Sequence, residues 1–173
     1  RNEFLQQLRR KEEGALQDFA VAWLEFARRP ECSPQEKFVM FLQDIFVVTA
    51  EKIRRSGTLF SYQATIRGQM DKDYPSLVRA VMKHPAMVEF LDANQNRKGQ
   101  PNENFARELL ELFCLGEGNY GEKDIKEAAR AMTGVTLRQG QFTLDKAQHD
   151  EGEKVIFGRK GNFDPDSLVD LTV

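Results

Sequence analysis

Cysteine, histidine and tryptophan are scarce in this chain, with two, two and one respectively. Cys32 and Cys114 stand too far apart in sequence to define a disulfide framework or a redox compartment, and they read as two half-buried free thiols. No C-x-x-C, H-E-x-x-H, P-loop, nucleophile elbow or dinucleotide fingerprint occurs anywhere, which removes the enzyme classes those spacings announce. An excess of one charge is lacking too. The 25 basic and 27 acidic side chains leave a net charge of -2, so no global field draws the chain to nucleic acid or an anionic membrane, and no nucleic-acid partner is expected. The local basic clusters Arg9-Arg10-Lys11 and Lys52-Ile53-Arg54-Arg55 read as solvated helix faces. No apolar run approaches the length of a bilayer span, so no transmembrane segment is expected in this sequence. It opens on Arg1 rather than methionine and stops at Val173 within a helical pattern. It therefore reads as a piece of a longer protein, with any signal peptide outside it.

What is present suits a globular protein. A chain of 173 residues, 40% hydrophobic and 30% charged, fits one domain with a real core. Apolar residues recur at helical spacing almost throughout, from about Glu12 to Arg28 onward. Ser33 as N-cap, Pro34 at the first position and Glu36 in a capping box start a second helix, which the pattern carries through to Arg55 as the central buried one. Shorter helices follow near Phe60–Gly68, Tyr74–Lys83, Pro85–Leu91, Asn102–Leu115 and Glu122–Thr133, with Gly116 and Gly134 at left-handed helix ends. Beyond Gly134 the period changes to two. "VTLRQGQFTLD" reads as a β-hairpin turning at Gln139-Gly140, and "EKVIFG" as a third strand. Asp164 and Pro165 then start a last helix. The expected fold class is mainly α: one helical domain with its core over about 12–133, a small antiparallel hairpin or short sheet over about 135–158, and a helix beginning at about 164–173.

Three groups of residues carry candidate chemistry. The stretch "DANQNRKGQPNE" places Asp92, Asn94, Asn96 and Glu103 at positions one, three, five and twelve of a calcium loop. Arg97 occupies position six, where the turn wants glycine, and Arg97-Lys98 bring positive charge. The pattern favours a capped turn, with no tight metal site. Next, Glu103, Arg107 and Glu111 form an i, i+4, i+8 ladder opposite a core face made by Phe105, Ala106, Leu109, Leu110, Leu112 and Phe113. The ladder reads either as two surface ion pairs or as a carboxylate–guanidinium cluster for acid–base work. Arg107 is expected to be partly buried and to bridge outside its helix, to Asp92 or to the third group, His149-Asp150. That dipeptide lies in a loop and is a candidate base or ligand.

The segments "PNENFARELLELFCLGEGNYGEKDIKEAARAMTG" and "HDEGEK" resemble the bacterial family known as domain of unknown function 1800 (DUF1800). The match over these segments is long and specific, and weaker similarity extends back through "HPAMVEFLD" to "EKFVMFLQDIFVVTAEKI", so that the resemblance covers most of the chain from about Pro34 onward. It implies a large, mainly helical, often exported bacterial protein of periplasm or cell envelope, without supplying an activity, a substrate or a cofactor. Where the family pattern reads W-H-N-H-F, this chain has Leu42, Gln43, Asp44, Ile45 and Phe46, so any metal or proton chemistry of that histidine pair is lost. Cys114, Gly121 and Val135 also depart from the pattern, at its threonine, its capping hydroxyl and its tryptophan. Two functions stand. One is a non-catalytic module of a cell-envelope assembly with a protein partner. The other is an exported hydrolase-like enzyme using Glu103, Arg107, Glu111, His149 and Asp150.

Overall fold

The computed structural model describes residues 2–173. Eight helices follow in order: α1 (Asn2–Ala27), α2 (Ser33–Ile45), α3 (Ser56–Gln69), α4 (Tyr74–Lys83), α5 (Pro85–Phe90), α6 (Glu103–Glu108), α7 (Glu122–Ala131) and α8 (Pro165–Thr172). Four short strands lie between α7 and α8: β1 (Val135–Arg138), β2 (Gln141–Leu144), β3 (Lys154–Ile156) and β4 (Arg159–Gly161). The protein is mainly α, with two separate two-stranded antiparallel sheets.

Local chemistry explains most element boundaries. Asp73 caps α4 by accepting from the Ser76 amide at 2.8 Å, with Pro75 in the first turn. His84 caps α5 with Nδ1, which accepts from the Ala86 amide at 3.1 Å. Asp164 caps α8 by accepting from Ser167. Gly121 leads α7 without a capping hydroxyl, but Asp124 reaches back to accept from the Gly121 amide at 3.0 Å. The β1–β2 hairpin pairs Val135 with Leu144 and Arg138 with Gln141, and turns on Gln139 and Gly140, both at positive φ. That combination is the primed turn whose twist matches the strands.

Several expectations need correction. α2 does not run to Arg55. It ends at Ile45, with Phe46 out of helical geometry, where the β-branched run Val47-Val48-Thr49 offers little helix propensity. Nor is it buried on most sides: Phe38 and Phe41 are exposed, and Val39, Leu42 and Glu36 face inward. Cys32, not Ser33, precedes the first turn, and no capping box forms. The Lys52–Arg55 cluster lies in the connecting turn, where Lys52 reaches Asp92 and Arg55 reaches Glu89. "EKVIFG" pairs with Arg159–Gly161 instead of joining the first hairpin, so sheet structure extends past residue 158. After Glu108 the chain continues as a π-helix over Leu109–Leu115. Its wider turn throws Leu112 outward, 57% exposed, off the face that a 3.6-residue wheel assigns it.

The core is built from α2 to α8 with β1 and β3, while Trp23 of α1 and Phe142 and Leu144 of β2 pack against it half-buried. Phe46, Ile66, Met87, Phe105, Leu109, Ile125, Met132, Ile156 and Val169 belong to one buried apolar cluster. Each such side chain contributes roughly 1.5–3 kcal/mol on burial. Both cysteines are free and half-buried. Gly134, at φ +81°, joins α7 to the hairpin, and a Cβ there would stand 2.5 Å from the Asp145 carbonyl oxygen and 2.9 Å from the His149 amide nitrogen. Both obstacles are backbone. Gly134→Ala is therefore expected to destabilise by at least the roughly 1–3 kcal/mol of a strained backbone site; an unchanged urea midpoint would contradict this packing.

Candidate functional site

The residues singled out in the sequence separate into three places. In the Asp92–Glu103 loop three of the four candidate ligands, Asp92, Asn96 and Glu103, have protein partners of their own. Asp92, in left-handed geometry, accepts from Lys52 at 2.6 Å. Asn96 is 1% exposed; its amide nitrogen donates to the Ala129 carbonyl at 2.8 Å and its oxygen accepts from the Asn102 amide at 3.0 Å. Asn94 is exposed, and Glu103 pairs with Arg107 at 3.4 Å. Asn102 caps α6 through the Asn104 amide, while Asn104 donates to the Leu91 carbonyl. The asparagines stitch a turn together. Among the described residues no group of three or more His, Cys, Asp or Glu side chains is placed to hold a metal ion.

The ladder is only half formed. Arg107 reaches Glu103 within α6, and beyond its helix it meets Glu122 at 3.2 Å, at the start of α7. The external bridge is real, but its partner is neither Asp92 nor His149-Asp150, which are engaged elsewhere. Arg107 remains 38% exposed, and Glu122 more so. Glu111, carried into the π-helical segment, accepts from the Tyr120 hydroxyl at 2.5 Å, which pushes that phenol up to about 12.

His149 and Asp150 instead join the end of α7. His149 is 6% exposed, and its Nδ1 lies 2.7 Å from the Thr133 carbonyl oxygen. A carbonyl only accepts, so Nδ1 carries the proton. The Thr133 hydroxyl donates to the Arg130 carbonyl and accepts from the Asp150 amide. Arg130 Nε donates to Asp150 at 2.8 Å, while its Nη1 holds Glu127 and the Glu153 carbonyl. The Arg130 guanidinium holds the Asp150 carboxyl down at about 2. Lys154 is fully buried, and its ammonium donates to the Asp150 carbonyl at 2.5 Å, the Gly152 carbonyl at 3.1 Å and Asn162 Oδ1 at 3.2 Å. Three donors meet three acceptors, which satisfies the ion although burial depresses its pKa. Neither Glu103, Arg107 nor Glu111 contacts this knot.

A second buried polar cluster escaped the sequence reading. Glu36, 1% exposed, receives Arg67 Nε at 2.8 Å and Nη2 at 2.7 Å, a fork-on-fork pair, and the Trp23 indole N–H at 2.5 Å. Arg67 in turn lowers the Glu36 pKa. The three residues come from α2, α3 and α1. Nothing local in the sequence links positions so far apart; the available signal was a glutamate within an otherwise apolar helix face. Beside this cluster runs a cleft of about 260 Å³ lined by Phe19, Trp23, Gln43, Phe46, Tyr62 and Gln63, among others. Gln43 stands where the family pattern has its first histidine.

Burial decides what each guanidinium is worth. Arg67→Ala leaves the Glu36 carboxylate buried with only an indole partner, and should destabilise by about 3 kcal/mol or more. Arg107→Ala removes solvent-screened contacts only, and its urea midpoint should match the parent. Equal effects of the two substitutions would refute this assignment.

No curated protein and no solved structure matches the chain. One family model does, described as protein of unknown function (DUF1800), over residues 2–173, essentially its whole length. The helical order, the loop stitched by asparagines and the knot of "EAARAMTG" with "HDEGEK" are thus those of a member, and the chain belongs to the DUF1800 family.

Proposed function

We propose that this protein is a non-catalytic interaction module of an exported cell-envelope assembly. One observation carries the reading: the polar residues with chemical potential are consumed by structural partners. His149 holds a backbone carbonyl, Asp150 a guanidinium, Lys154 three oxygens, and Glu111 a phenol. A hydrolytic site needs a base and an oriented partner facing one open space. Glu103 and Arg107 share no partner with His149 and Asp150. The exported, envelope setting rests on the family resemblance.

Large exposed apolar side chains, including Phe4, Leu8, Leu24 and Phe26 on α1 and the stacked Phe38–Phe41 pair on α2, support an interaction role. No described helix is long and apolar enough to cross a membrane, so these residues do not form a span.

Stability separates a module from an enzyme. Groups held for catalysis are commonly neutral or stabilising when replaced, because the site is strained for function. Structural groups are not. Asp150→Asn and Lys154→Met should each destabilise by roughly 1–3 kcal/mol, since each takes the partner from part-buried hydrogen-bonding groups. Because Asp150 titrates lower when folded than unfolded, its contribution is complete above about pH 4. It should fade as pH falls toward about 2. Acid melts of the parent should lose stability through that window, and Asp150→Asn should flatten the loss. Variants as stable as the parent, or more so, would sink the structural reading and favour the enzyme.

A further inference from the structure

We propose that the polar cavity between the Asp92–Glu103 loop and the first hairpin binds a small polyhydroxylated monocarboxylate, of the sugar-acid class. The inference stands independently of the interaction role. Its basis is a set of accessible polar side chains without protein partners, gathered around a floor that backbone hydrogen bonds hold fixed. The cavity measures about 280 Å³, and buried Asn96, Gly134 and Val135 form its floor. The Gly134 amide donates to the Asn96 carbonyl at 2.9 Å, and the Asp145 amide to the Gly134 carbonyl at 2.8 Å. The Lys98 amide donates to the Gln148 carbonyl at 2.8 Å. Three chain segments are thereby locked around one opening, so a guest has little of the backbone left to order.

The rim defines the ligand. Asn94, Arg97 and Gln148 are exposed and Thr136 is half-buried, so all four are open to a guest. Among the described residues none of these four side chains has a hydrogen-bond or ion-pair partner. The two aspartates of the neighbourhood are taken, Asp92 by Lys52 and Asp145 by Arg138. Arg97 therefore brings an uncompensated positive charge, and its planar fork matches a carboxylate. Asp145 also lines the cavity; it can accept from a hydroxyl but repels a second carboxylate, which limits the guest to one. The amides of Asn94 and Gln148 and the Thr136 hydroxyl both donate and accept, as a chain of hydroxyls requires. Among the lining residues Val135 alone is a large apolar side chain and none is aromatic, so lipid and aromatic guests find no surface. The volume lies at the lower end for ligand sites, which start near about 300 Å³, and suits one small acid.

Gluconate, glucitol and hexanoate share a carbon chain; glucitol lacks the carboxylate and hexanoate lacks the hydroxyls. Inorganic phosphate reports on charge alone. Each is titrated at constant ionic strength into the whole 173-residue chain, with nuclear magnetic resonance reading the side-chain amides of Asn94 and Gln148. Gluconate is expected to shift both signals saturably, and to bind at least tenfold more tightly than the other three. Arg97→Gln should bring gluconate down to the affinity of glucitol. The variant should melt with the parent, because that guanidinium holds nothing in the fold. Four results would each overturn the proposal: no saturable shift, a match to gluconate by any of the other probes, an Arg97→Gln variant that keeps the preference, or one that melts well below the parent. The last would make Arg97 a structural group.

Discussion

Arg130 sits where the helical body meets both hairpins, and its guanidinium holds them together. From the last turn of α7 it grips Asp150, Glu127 and the Glu153 carbonyl, which fixes the loop between β2 and β3 against the helix end. Glu127, so positioned, accepts from the Val155 amide at 2.9 Å, and Asp124 one turn earlier accepts from the Phe157 amide at 2.7 Å. One face of α7 therefore supplies hydrogen bonds that a two-stranded ribbon lacks along its edge. A sheet of two strands is marginal on its own. Here the helix completes it, and Ile156 of β3 lies fully buried in the core beside it.

The same logic, with different residues, secures the other end. α1 touches the body only along one side, so apolar burial alone holds it weakly. The Trp23 indole reaching the Glu36 carboxylate adds a directional contact, and Ser56 donates its amide to Glu12 at 2.7 Å further along. A carboxylate as buried as Glu36 is costly unless both oxygens are engaged. Arg67 engages both, so α1, α2 and α3 share one electrostatic centre. The cleft beside it stays open because those three side chains are directed toward one another, not across the gap.

Much of this fold was legible from local rules. Tyr74–Lys83, the Asp164 cap, the Gln139-Gly140 turn and the asparagine-capped start of α6 follow from sequence chemistry within a few residues, and all stand in the structure. The departures have two causes, distant partners and helix geometry. Glu36 has the spacing of a capping box, yet a guanidinium thirty-one positions later competes for its oxygens and wins. A wheel of 3.6 residues per turn puts Leu112 on the core face and Glu111 in line with Arg107, and the π-helical segment changes the wheel. The Glu103–Arg107 pair forms from local geometry, but the third member turns to Tyr120. Periodicity reports the faces of an ideal helix; it does not report which distant group will claim a charge.

Exposed ion pairs make the same distinction visible at the surface. Lys52–Asp92, Arg55–Glu89, Lys83–Asp166 and Arg79–Asp170 each join segments remote in sequence. Such pairs are screened by water and contribute little to stability. What they can do is disfavour wrong registers, since like charges brought together would repel. α4 illustrates it: its inner residues Leu77, Val78, Val81 and Met82 bury, while Arg79 and Lys83 meet acidic residues of α8. Apolar burial fixes that the two helices pack, and the paired charges fix how far along each other they lie. The buried centres at Glu36 and Lys154 do both at once, because there a misplaced partner leaves an ion without solvent.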